Sequence, residues 1–101
     1  MDVTRLVTET VFEARLSNSL TFSDNGSFRK LLDEMVASTK TSWVIDLSNL
    51  VTVDSAGLGM FIIAQETARK SGRALALRSP AGHVKHLLYL AKMDKLIDIQ
   101  E

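Results

Sequence analysis

The chain has 101 residues, 46% hydrophobic and 24% charged, which suits one small domain with its own core and not a disordered tail. Its 12 Lys and Arg balance 12 Asp and Glu, so no long-range field draws it to nucleic acid or to an anionic membrane. The lack of cysteine excludes disulfides, thiol catalysis and Cys-ligated zinc and fits a reducing compartment; no apolar signal core follows Met1, and the longest apolar run, Leu58 to Ala64, is too short to span a bilayer, so a soluble cytoplasmic domain is expected over 1–101.

Val3 to Val7 and Thr10 to Leu16 are rich in Val, Thr, Leu and Phe, with Phe12, Ala14 and Leu16 on one side and Glu13 and Arg15 on the other. That alternation predicts two short strands in a hairpin. Past the turn-like Asn18-Ser19, the cluster Ser23-Asp24-Asn25-Gly26 offers helix caps, and Phe28, Leu31, Leu32, Met35 and Val36 recur at helical spacing. Ser38 to Ser42 is a polar break. Trp43 to Leu47 then reads as a central strand covered on both faces, with Asp46 held in a structural hydrogen bond. Ser48 to Asp54 reads as a connector, and a second helix is predicted from about Ser55 to Ser71, stopped by Gly72. Ala74 to Leu77 predicts another strand, Ser79-Pro80 the start of a third helix with Val84, Leu87, Leu88 and Ala91 as its buried stripe, and Ile97 to Ile99 a last short strand. This order requires crossovers between parallel strands, hence an α/β domain with three or four helices on a mixed, mostly parallel sheet of four or five strands.

Most catalytic signatures are missing. Gly57-Leu58-Gly59 lacks the third glycine of a dinucleotide fingerprint, because Ile62 stands in its place, and no Gly-Lys-Ser or Gly-Lys-Thr occurs. Val53 occupies the position of the first glycine of a nucleophile elbow, which removes support for a hydrolase built on Ser55. His83 and His86 lie one helical turn apart, but with no cysteine and only Asp94 nearby they read as a solvated face beside Lys85.

The stretch Val53-Asp54-Ser55-Ala56-Gly57-Leu58-Gly59 is the most informative in the chain. Plain helix capping accounts for one of its polar residues, at about 1 kcal/mol. It does not account for two adjacent caps followed by two glycines, each costing up to about 1 kcal/mol inside a helix; small residues here suggest a helix entrance kept uncovered. Capping and a functional turn both stand at this point, since loops at strand C-termini of α/β sheets commonly hold the site.

Asp46-Leu47-Ser48, the Asp54 to Gly59 string and the tail Ser79-Pro80 to Leu96 together resemble the STAS domain family, the fold of anti-sigma factor antagonists, over nearly the whole chain. The resemblance implies that Ser55, directly after the aspartate of the motif, is phosphorylated by a partner kinase. It further implies a docking surface of Thr21, Ser23, Asp24, Asp54, Ser55, Ala56, Gly57 and Leu58 for an anti-sigma factor serine kinase that uses ATP, with a separate serine phosphatase reversing the modification. The domain would then be substrate and switch and not catalyst, with no cofactor, no nucleic acid and no direct membrane contact. The family also supplies accessory subunits of membrane lipid or anion transporters, and scaffolds of related partner-switching pathways controlling biofilm or motility. Two positions depart from the family pattern: Thr21 follows Leu20 where an acidic residue is common, and Lys92 stands where glycine is common after the third helix.

Overall fold

The computed structural model describes all 101 residues. Strand β1, Asp2–Val7, pairs antiparallel with β2, Val11–Leu20, as the hairpin pattern predicts. A 3-10 turn, Phe22–Asp24, leads into helix α1, Asn25–Ala37; strand β3 is Ser42–Val53, helix α2 Ser55–Lys70, strand β4 Ala74–Arg78, helix α3 Gly82–Leu90 and strand β5 Asp98–Gln100, with a second 3-10 turn at Met93–Lys95. The sheet runs in the order β1-β2-β3-β4-β5, and every pair after the first is parallel. β3 is therefore central, as expected. No helix is long and apolar enough to cross a membrane.

Parallel strands laid down in sequence by right-handed crossovers place their connecting helices on one face. On that face Phe12, Trp43 and Leu75 sit side by side, as do Ala14, Ile45 and Leu77 in the next row. Phe28, Leu31, Leu32 and Met35 of α1, Met60, Phe61, Ala64 and Ala68 of α2, and Val84 and Leu88 of α3 join them in one buried cluster. Burying each such large side chain contributes on the order of 1.5–3 kcal/mol, so this face carries the stability of the domain.

Several sequence expectations need correction. β3 is not covered on both faces: the second face carries Glu13, Arg15, Asp46 and Arg78, and Asp46 is buried there by other polar groups. Arg78 reaches Asp46 Oδ2 through Nε at 3.0 Å and through its terminal nitrogen at 2.7 Å, and the same nitrogen meets Glu13 at 2.8 Å. The Ser48 N–H and hydroxyl donate to Asp46 Oδ1 at 2.9 and 2.6 Å. Burial alone would raise the Asp46 carboxyl, but these donors outweigh it and hold the group below the ordinary carboxylate range. The structural role expected of Asp46 is what the fold gives it.

The connector Ser48 to Asp54 is mostly strand, because β2 runs on to Leu20 and pairs with β3 as far as Val53. Two register shifts in this pairing break the alternation that would have marked a strand, and Asn18, with φ 70°, absorbs one of them instead of making a turn. Helix α3 starts at Gly82 and not at Ser79-Pro80: the Ser79 N–H is drawn to Gln100 O at 2.6 Å, at the end of the β4–β5 pairing, and Pro80 is buried before the helix begins. Ala91 falls beyond the end of α3 and is exposed, Leu87 is half-buried, and Met93 and Ile97 fill the core in their place. Val36 is also exposed. Lys92 adopts φ 59°, the left-handed conformation that explains why glycine suits this position.

Candidate functional site

The site is built where two parallel strands end together, since Leu20 of β2 is the register partner of Val53 of β3. Each strand leads at once into a turn: Thr21 into the Phe22–Asp24 turn, and Asp54 into α2. The C-terminal edge of a parallel sheet therefore gathers the residues of the expected docking surface, Thr21, Ser23 and Asp24 on one side and Asp54, Ser55, Ala56, Gly57 and Leu58 on the other.

Asp54 ties the two together. As the residue before α2 it is extended, and its Oδ1 accepts the Gly57 N–H at 2.7 Å, satisfying one of the free donors of the first turn. Its other oxygen accepts the Phe22 N–H at 3.1 Å, and its own N–H donates to Leu20 O at 3.3 Å. One carboxylate thus caps a helix and clamps the neighbouring turn.

The two adjacent caps divide their work. Because Asp54 does the capping, Ser55 is the first residue inside α2, exposed to solvent, and its hydroxyl takes no part in the hydrogen bonds of the cap. The free N–H groups of the first turn and the positive end of the helix dipole surround it, which favours an anionic group there by about 0.3–1 kcal/mol.

Gly57 corrects the reading of the small residues. It is buried, and a Cβ there would lie 2.4 Å from Leu20 O and 2.4 Å from Val53 Cγ2. Glycine at this position lets α2 sit directly on the ends of β2 and β3; it does not hold the entrance open. Gly59 has open space around it, and Ala56 and Leu58 are half-buried.

In the facing turn Asp24 is bound up locally. The Thr21 N–H donates to its Oδ2 at 2.9 Å and the Met1 amino group lies 3.0 Å from Oδ1. The Thr21 bond first, then the Met1 charge, hold its carboxyl below the ordinary range against the opposing effect of burial. Thr21 and Ser23 pair through their hydroxyls at 3.0 Å. The residue that sequence reasoning passed over is Phe22, which is 74% exposed in the middle of this polar turn. Its only sequence signal is an aromatic within a run of cap-forming residues. His83 and His86 lie apart, exposed on α3, and no three potential metal ligands gather anywhere in the chain.

With this geometry in place, the likeness to known proteins is informative. The family model described as "Mlab, STAS domain" matches residues 9–98. The crystal structure of a candidate anti-sigma factor antagonist from Thermotoga maritima matches with a TM-score of 0.88 at 23% identity, over 98% of this chain and 86% of that one. The anti-sigma factor antagonist SpoIIAA in its unphosphorylated form gives 0.74 at 15% identity over 99% of this chain and 87% of its own, and phosphorylated Bacillus SpoIIAA gives 0.73 at 14% over 97% and 90%. A sulfate transporter family protein from Wolinella succinogenes gives 0.77 at 16% identity, over 94% of this chain and 80% of that one. At these identities the solved structures speak for the fold, and the family model, which covers most of the sequence, speaks for membership. The chain belongs to the STAS domain family.

Proposed function

We propose that this domain is an anti-sigma factor antagonist, the substrate and switch of a partner-switching pair. With Ser55 unmodified it binds an anti-sigma factor serine kinase and frees the sigma factor. The kinase then transfers the γ-phosphoryl group of ATP to Ser55: the Oγ–P bond forms, the bond from the γ-phosphorus to the β–γ bridging oxygen breaks, ADP leaves, and the hydroxyl proton passes to a base of the kinase. Phosphorylated domain is released, and a serine phosphatase returns it to the binding form.

The observation that carries this reading is the division of labour at the start of α2. Asp54 satisfies the cap, so the Ser55 hydroxyl has no structural duty and stands exposed. The magnitudes favour a local switch. A phosphate adds a charge of about −1.5 to −2 that the helix terminus accepts in the free domain. In a closed interface beside the Asp54 carboxylate the same group must be desolvated, at a cost of several kcal/mol. The complex is lost without a change of fold. The kinase affinities of two variants test it: Ser55→Ala retains binding, and Ser55→Asp weakens it by about a hundredfold or more. Equal affinities would contradict the mechanism.

A second reading has its own support. The matching family model is described by Mlab, and one fold neighbour is a sulfate transporter family protein, which fits an accessory subunit of a lipid or anion transporter. In that role the same surface would meet a transporter component and Ser55 would need no modification. Affinity capture with the wild-type chain separates the readings, since recovery of a transporter component in place of a serine kinase would favour the second.

A further inference from the structure

We propose that Phe22 is the aromatic anchor by which the kinase grips this domain next to Ser55, and that Asp54 is the positioning residue that presents it; the inference rests on the partner-switching reading. The polar side chains of the Phe22–Asp24 turn are engaged with one another or with neighbouring segments. Thr21 pairs with Ser23, Asp24 accepts from the Thr21 N–H and meets the Met1 amino group, and Asp54 is engaged by both Phe22 and Gly57. The Asp24 carboxylate is already paired with the Met1 amino group, Asp54 keeps its charge exposed with both oxygens accepting backbone N–H groups, and residues 21–24 include no cation. The large apolar group this turn leaves exposed is the Phe22 ring, 74% exposed, on a backbone tied through Asp54 to the start of α2.

Single exposed apolar residues are common on protein surfaces and by themselves signify little. Phe22 differs in being held. Its N–H is fixed at 3.1 Å by Asp54 Oδ2 while Asp54 Oδ1 holds Gly57 at 2.7 Å, so the backbone under the ring is bolted to the first turn of α2 that carries Ser55. An aromatic side chain on a preorganised turn loses little freedom on binding, and such residues dominate the energetics of interfaces when they enter a dry pocket. The partner chemistry that fits is an apolar pocket on the kinase, close to the site that delivers the phosphoryl group.

Anti-sigma kinase domains of the source organism, incubated singly with ATP and the full chain, supply the probe: the domain that adds one phosphoryl group to Ser55. With that domain, Phe22→Ala raises KM for the chain by about tenfold or more and leaves kcat little changed, because the anchor acts in binding and the hydroxyl is untouched. Phe22→Leu restores most of the loss, and both variants melt with the wild type because the ring is exposed. An unchanged KM for Phe22→Ala, a loss confined to kcat, or a Phe22→Leu variant as poor as Phe22→Ala overturns the anchor and leaves the switch standing. If no kinase domain modifies the wild-type chain at Ser55, the partner-switching reading falls and the anchor falls with it.

Discussion

Two aspartates, Asp46 inside β3 and Asp54 just past its end, carry the same charge and do opposite things. Asp46 sits on the open face of the sheet, buried among Ser48, Arg78 and Glu13, and Arg15 Nε lies 3.6 Å from it. The charges of that cluster are set against one another, with the two carboxylates largely covered and the arginines partly solvated. Asp54 is also well bonded, but its bonds are to backbone N–H groups, and the side chains beside it, Ser55 and Phe22, are left without partners. Polar groups satisfied by one another give structure. A polar group that satisfies the backbone releases its neighbours for work outside the molecule.

The largest stability effect is expected from Asp46→Asn. It leaves Arg15 and Arg78 facing Glu13 alone, two cations to one anion, and it should cost about 2–4 kcal/mol, the lower end applying because both arginines are partly solvated, with kinase binding unchanged. Because the folded carboxyl is held below its ordinary value of 3.8, Asp46 contributes stability in full at neutral pH and loses it as the pH falls through that lowered value. Urea unfolding at pH 7 and near pH 3 checks both points: the gap between wild type and Asp46→Asn should narrow in acid.

Gly57→Ala comes next. A new Cβ 2.4 Å from Leu20 O and Val53 Cγ2 forces α2 away from the strand ends, at about 1–3 kcal/mol, partly offset by the better helix propensity of alanine. Since Leu20 leads into the Phe22 turn, this variant should also weaken kinase binding, which separates it from Asp46→Asn. The smallest stability change is expected from Asp54→Ala, about 1 kcal/mol for a lost cap. Its binding defect should nevertheless exceed its stability defect, because the Phe22 turn is released. Thermal melts beside kinase titrations would show whether the two aspartates differ in this way; equal ratios of binding loss to stability loss for both would erase the contrast.

Much of this architecture was legible in the sequence, and the failures have physical causes. The covered face of the sheet showed in the period of two at Phe12, Ala14 and Leu16, and α1 and α2 in their spacing, because a side chain that must be buried leaves a pattern. The second half of β3 did not show, because its partner supplied the order: pairing with an extended β2 through two register shifts scrambles the alternation. The start of α3 was misplaced by a proline that is buried ahead of the helix and does not open it. At the site, the aspartate, serine and glycine of the motif were readable by type, but their duties were not. That Asp54 and not Ser55 caps the helix, and that Gly57 serves close packing and not openness, depends on distances between strand ends. Phe22 left no signal as a surface residue, since a single aromatic between Thr21 and Ser23 belongs to no helical or strand period and its exposure is set by the fold.

The most direct measurement is intact-mass analysis after incubation with ATP and a cognate anti-sigma kinase, using the wild type and Ser55→Ala side by side. The account predicts the mass of one phosphoryl group on the wild type and none on Ser55→Ala. No gain on the wild type with any such kinase, or a gain that persists in Ser55→Ala, would contradict it.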